Sequence, residues 1–102
     1  MRHDKKRTMP STAHFRGEVT LGHEIWWRIP LDCDDVEVRV CCDGCLIARR
    51  PNRFFRVGPD FDERYSSEGW ARFAIRAAGF YTVTFADDVG SDVEFEVCDA
   101  EA

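Results

Sequence analysis

The sequence predicts an all-β fold, a single antiparallel β-sandwich of seven or eight short strands. Three observations carry that expectation. Apolar and polar residues alternate with period two in segment after segment, the pattern of half-buried strands and not of helices. Turn-forming residues interrupt the alternation roughly every eight to twelve positions, the spacing of sandwiches and small barrels. The chain of 102 residues is 44% hydrophobic, with 8 Phe, 3 Trp and 2 Tyr, which is enough to build one core.

Taken in order, residues 1–13 lack periodicity and contain Pro10 and Ser11, so they read as a flexible basic N-terminal arm ahead of a domain over residues 14–99. Residues 100–102 form a tail. HFRGEVT (residues 14–20) is the first strand, followed by a turn at Leu21-Gly22-His23, and EIWWRI (24–29) is the second. DVEVRVCC (35–42) alternates cleanly, with Val36, Val38, Val40 and Cys42 on one face and Glu37, Arg39 and Cys41 on the other. Asp43-Gly44 is then a two-residue hairpin turn, a dipeptide suited to two consecutive positive φ angles. CLIARR (45–50) returns, Pro51-Asn52 turns again, and RFFRV (53–57) is the fifth strand. The polar stretch over 58–69 reads as a loop. Residues 70–76, 80–86 and 92–98 complete the set, the last two pairing as a hairpin across residues 87–91.

The segment SSEGWARFAIRAAG (66–79) admits a second reading. Trp70, Phe73, Ala74 and Ala77 fall at helical spacing between a serine and a glycine, so an α+β fold with a helix at 67–78 is the alternative. As a strand, the same residues put Ala71, Phe73 and Ile75 on one face. The continuation of the chain favours the strand: GWARFAIRAAGFYTVTFADD resembles the penultimate strand pair of immunoglobulin-like sandwiches, where a small-residue corner leads into a strand beginning Gly-x-Tyr. Gly79 and Tyr81 occupy those places. The resemblance covers about thirty residues and implies an immunoglobulin-like sandwich, with Tyr81, Val83 and Phe85 sharing the core face. The buried cysteine pair and intervening tryptophan of antibody domains are not found at the expected places.

Charge is distributed unevenly. The net charge is −5, yet residues 1–7 carry Arg2, Lys5, Lys6 and Arg7 against Asp4 alone, so the remainder carries −8. Seven arginines and four acids lie between Arg49 and Arg76, whereas Phe80 to Ala102 holds seven acids and no Lys or Arg. Such a two-ended molecule can meet a partner, or a copy of itself, through opposite potentials. The acidic body disfavours nucleic acid despite the arginines and phenylalanines of RRPNRFFR (49–56). No apolar run approaches the ~18 residues of a membrane span. MRHDKKR has the charge of a secretory n-region, but TMPSTAH follows where an apolar segment is needed, so the expectation is a cytoplasmic or virion protein not secreted by a signal peptide.

Five cysteines, an odd number, favour reduced thiols. Three of them stand in CCDGC (41–45), which has three readings. Cys42 and Cys45 flank a tight hairpin; or they form half of a zinc knuckle, which needs two further ligands from elsewhere; or they are a redox pair or disulfide. Acidic clusters at residues 32–35, 60–63 and 87–88 lack a calcium-loop spacing. Histidines 3, 14 and 23, with no nucleophile elbow or phosphate loop, give catalysis little support, and neither an enzyme nor a cofactor is expected.

The strongest interaction signal is aromatic. Alternation in EIWWRI sends Trp26 and Arg28 away from Ile25, Trp27 and Ile29. In RFFRV it sends Phe54 and Arg56 away from Phe55 and Val57. Trp and Arg dominate binding hot spots, so Trp26, Arg28, Arg53, Phe54 and Arg56 are the expected partner-binding residues, with Arg2, Lys5, Lys6 and Arg7 as an assembly arm. The function expected is therefore protein–protein contact within a larger assembly, with other proteins or with itself. A compact sandwich with a charged tail is similar to the small accessory proteins that decorate bacteriophage particles. Two other classes compete: a small intracellular inhibitor or regulator acting through an acidic face, and a zinc-stabilised binding module.

Overall fold

A computed structural model describes residues 14–57, 69–90 and 93–100. Seven strands lie among them: β1 (His14–Val19), β2 (His23–Arg28), β3 (Glu37–Cys42), β4 (Cys45–Pro51), β5 (Trp70–Ala74), β6 (Gly79–Phe85) and β7 (Glu94–Asp99). They form two antiparallel sheets, one of four strands in the order β1-β6-β3-β4 and one of three in the order β5-β2-β7. The inward residues of both sheets share one core: Ile25 and Trp27 from β2, Val38 and Val40 from β3, Ala71 from β5, Tyr81 and Val83 from β6, and Phe95 from β7. The molecule is thus the all-β sandwich that the alternation predicts. Cores of this kind form because a strand with one apolar face must bury it against another. The expected arm, residues 1–13, lies outside the described residues.

Local chemistry explains the turns. Asp43 and Gly44 both have positive φ, 51° and 86°, so the β3–β4 hairpin closes as expected, with Cys42 and Cys45 paired at its neck. The carboxylate of Asp43 accepts a hydrogen bond from the backbone N–H of Phe80 at 2.9 Å, and the N–H of Asp43 donates to the carbonyl of Phe80 at 2.8 Å. This double link pins the hairpin tip to the start of β6. A Cβ on Gly79 would stand 2.7 Å from Cys42 Sγ and 2.9 Å from Asp43 Oδ2, so any larger residue there would force one of those side chains to move. Two residues on, the Tyr81 hydroxyl donates to the carbonyl of Ala77 at 2.5 Å, a tyrosine corner closing the β5–β6 connection.

The strand reading over its alternative, a helix at 67–78, is borne out: residues 70–74 form β5, hydrogen-bonded along β2 with Phe73 opposite Ile25. Two expectations are corrected. The segment at 53–57 is no strand: Asn52–Phe55 is a 3-10 helix, and Arg56 alone bridges to Ala71. Pro51 ends β4, and both Asn52 and Phe55 must turn inward, which a three-residue period achieves and a two-residue period does not. Finally, β6 and β7 do not form a hairpin; β6 pairs with β1 and β3, β7 with β2. Val89 and Val93, in the connection between them, are buried in the core, so the link crosses between sheets instead of folding back.

Two buried polar groups hold this arrangement. Trp27 Nε1 donates to Asn52 Oδ1 at 2.8 Å, and both residues are fully buried. Asn52 Nδ2 donates to Asp34 Oδ1 at 3.3 Å, and the Asn52 N–H bonds the carbonyl of Val36 at 2.8 Å. Asn52→Ala strands the indole N–H without an acceptor, so it should cost about 1–3 kcal/mol, read as a lower urea midpoint at unchanged slope.

Two further groups make stability fall at alkaline pH. Burial first, then contact with the Cys42 thiol, pushes the Tyr81 hydroxyl above its ordinary value of 10.0. Burial, then the Asp32 carboxylate, pushes the Cys33 thiol above 9.0, with Asp34 and Asp88 adding to the effect. Both groups keep their protons longer folded than unfolded. Their stabilisation is therefore complete below the unfolded values and is lost as pH rises through the folded ones. Stability should fall above pH 9–10. Tyr81→Phe should cost about 1 kcal/mol at neutral pH and make that alkaline decline shallower. A decline of unchanged steepness in the variant contradicts the assignment to Tyr81.

Candidate protein-binding surface

The outward face of the three-stranded sheet is assembled by register. Trp26 on β2 lies between Arg72 on β5 and Glu96 on β7, Arg28 lies between Trp70 and Glu94, and Glu24 lies between Ala74 and Cys98. Every arginine on this face has a carboxylate within reach. Arg28 Nη2 lies 2.8 Å from Glu94 Oε1, and its guanidinium stands 5.5 Å from the centre of the Trp70 ring. Arg72 Nη1 lies 3.3 Å from Glu24 Oε2, while Trp26 Nε1 donates to Glu24 Oε1 at 3.2 Å. Glu24 is buried, and a carboxylate out of water is tolerable only when its oxygens are engaged in this way.

Trp26 itself is 3% exposed and packs edge-on against Trp70 with ring centres 6.5 Å apart, in a small cluster with Val57 and Cys98. It points away from the main core, as alternation implies, yet it is not open to solvent. Arg28 shares its face. The other predicted residues lie elsewhere, on the 3-10 helix and its exit. Phe54 is 62% exposed, its ring 5.0 Å from the Arg53 guanidinium, which also pairs with Asp35. Arg56 turns inward instead: Nε donates to Asp34 Oδ1 at 2.8 Å and Nη2 lies 2.6 Å from the same oxygen, although neither Nη atom has an in-line acceptor. The structure therefore divides the predicted set into a buried pairing face, an inward ion pair and one exposed aromatic with its arginine. Arg2, Lys5, Lys6 and Arg7 lie outside the described residues.

Sequence reasoning gave β4 as a strand but left its exposed side chains out of the expected binding residues. Leu46 and Ile47 are 51% and 48% exposed, and Arg49 and Arg50 follow them. The register of β4 against β3 shifts between Val40 and Cys41, leaving Ile47 as the extra residue of a β-bulge. The signal was the adjacent apolar pair in CLIARR, which no alternation can bury on one face. Cys42 and Cys45 stand across the hairpin neck, and among the described residues no group of three or more His, Cys, Asp or Glu could hold a metal ion. No helix of the described residues is long and apolar enough to cross a membrane.

The exposures separate two variants. Trp26→Ala should destabilise the fold by about 3–5 kcal/mol, as for a buried tryptophan. Phe54→Ala should change stability by no more than about 0.5 kcal/mol. Chemical denaturation of both variants checks the pair, and equal losses contradict the division between a buried Trp26 and an exposed Phe54.

No family model matches this sequence, and neither the curated proteins nor the solved structures provide a match.

Proposed function

We propose that this chain is a non-enzymatic, immunoglobulin-like sandwich that works as a subunit or decoration component of a larger assembly, such as a phage particle, through protein–protein contacts that include copies of itself. The observation that carries the reading is the exposed, apolar and basic margin of the four-stranded sheet: Leu46 and Ile47 on β4, Arg49 and Arg50 beside them, and Phe54 with Arg53 just beyond. Aromatic residues and arginine are enriched at interfaces, whereas lone exposed apolar residues need no explanation. Here they gather on one edge strand and the turn that leaves it. The bulge at Ile47, the arginines and Pro51 discourage strand addition to that edge. A partner is therefore met by side chains and not by backbone pairing.

The immunoglobulin-like part of the reading draws on the middle of the chain. The β2–β5 and β3–β6 pairings correspond to the central pairs of such domains, β4 lies beside β3 as in the variable type, and Tyr81 forms the corner. The terminal strands depart from that pattern. β1 flanks β6 and β7 flanks β2, each in the place where the other end of the chain would stand.

Sedimentation velocity of the purified full chain tests the proposal. Oligomers should appear at low salt, shrink as salt is raised, and be lost in Leu46→Glu and in Phe54→Ala with melting temperature unchanged. A wild-type monomer at every concentration and salt, or oligomers indifferent to both substitutions, overturns it.

A further inference from the structure

We propose that Cys42 and Cys45 form a reversible dithiol–disulfide couple at the neck of the β3–β4 hairpin, oxidised by low-molecular-weight disulfides of the glutathione class. The inference stands apart from the assembly reading, because it rests only on the hairpin. Cys42 and Cys45 are direct cross-strand partners separated by a two-residue turn with both φ angles positive. The residues flanking such a turn form a hydrogen-bonded pair with Cα atoms about 5.5 Å apart. That separation is inside the roughly 4.4–6.8 Å window for a disulfide. Being opposite each other, the two side chains leave the same face of the sheet.

The fold also selects this pair against the other thiols. Cys41 is a strand neighbour of Cys42 and points to the opposite face, paired with Leu46. Cys33 lies in the 3-10 turn of Leu31–Cys33, and Cys98 on the outward face of the other sheet. No disulfide joins any of the five in the structure. Access is asymmetric: Cys45 is exposed, whereas Cys42 is half-buried, its sulfur packed over Gly79. The tip cannot drift away, since Asp43 is held to Phe80 through both its side chain and its N–H.

The chemistry follows from that asymmetry. The Cys45 thiolate attacks one sulfur of oxidised glutathione, forming a mixed disulfide and expelling one glutathione thiolate. The Cys42 thiolate then attacks Cys45 Sγ, forming the intramolecular bond and expelling the second. Two protein thiols are oxidised, two glutathione thiols are formed, and the two protons go to solvent or to the released thiolates. A bond confined to a four-residue turn closes a very short ring, so it constrains the unfolded chain little and is readily reversed. Its consequence is local: the Cys42 thiol that touches the Tyr81 hydroxyl and pushes it upward is consumed.

The test uses the full reduced chain, incubated with oxidised glutathione under native conditions, alkylated and weighed intact. The expected product has lost the mass of two hydrogens, carries no glutathione, and retains three alkylated cysteines. Cys41→Ser should still form it, while Cys42→Ser should stop at the glutathione adduct on Cys45. The bond should also form faster in the folded chain than in urea, and the Tyr81 titration, followed by tyrosinate absorbance, should move down on oxidation. A stable adduct on the wild-type chain, a bond that survives Cys42→Ser, or equal rates folded and unfolded each overturn the proposal.

Discussion

The hydrogen bond from Trp27 Nε1 to Asn52 Oδ1 ties the two sheets together where the chain leaves β4 to cross toward β5. Trp27 belongs to the central strand of the three-stranded sheet, and Asn52 follows the edge strand of the four-stranded one. An indole N–H with no acceptor in a dry core costs more than a hydrogen bond gains, so the acceptor has to be supplied by whatever passes nearby. Asn52 supplies it, and meeting that need shapes the next five residues of the chain. Its inward side chain places Phe55, three residues on, against the same indole, with ring centres 5.3 Å apart. The backbone then emerges so that Arg56 bridges to Ala71 and the N–H of Val57 bonds the carbonyl of Trp70, which covers the start of the outer edge of β5. Asp34, held by Asn52 and Arg56 together, locks the loop before β3 to the same turn.

From this anchor a line of rings runs through the core: Trp27 to Phe55, Phe55 to Phe73 at 6.4 Å, and Phe73 to Tyr81 at 6.5 Å. Tyr81 ends the line at the opposite connection, where its hydroxyl ties down the corner and Gly79 makes room for the hairpin tip. Aromatic pairs at such separations add to the burial of their area. The line therefore links two polar clamps, one at the β4–β5 crossing and one at the β5–β6 crossing, and the aliphatic core fills the space between them.

What the sequence made legible was periodicity, and what it concealed was partnership. Alternation in EIWWRI, DVEVRVCC and GFYTVTF assigns each residue to a face, and the inward and outward sides follow that assignment from Ile25 to Val83. Alternation does not say which sheet a strand joins. The final two strands, with a turn-like DDVGSD between them, read as a hairpin because nothing in their pattern reveals that Val89 and Val93 belong to the core. RFFRV failed for a different reason. Its aromatic residues fit a two-residue period in isolation, but the burial of Asn52 and Phe55 together imposes a period of three. Trp26 shows the third kind of blindness: alternation gives its direction correctly and leaves open whether its outward face meets water.

That distinction governs where a partner gains by binding. The hydrophobic contribution to association comes from apolar area that is wet before contact and dry after it. Trp26 is dry already, so covering it further removes almost nothing from water, and its neighbours Arg28, Glu24 and Glu94 already have partners whose separation would cost desolvation. Phe54 is the reverse case. Most of its surface is exposed, and the Arg53 guanidinium over its ring limits how many conformations contact would have to freeze. Leu46 and Ile47 add exposed aliphatic area on a strand whose bulge blocks strand-to-strand growth. In the proposed assembly, such a margin would offer a small contact at each subunit. Small contacts hold when many act together, because once one is made the next forms at high effective concentration. A repeating assembly supplies that multiplicity, and a one-to-one complex does not.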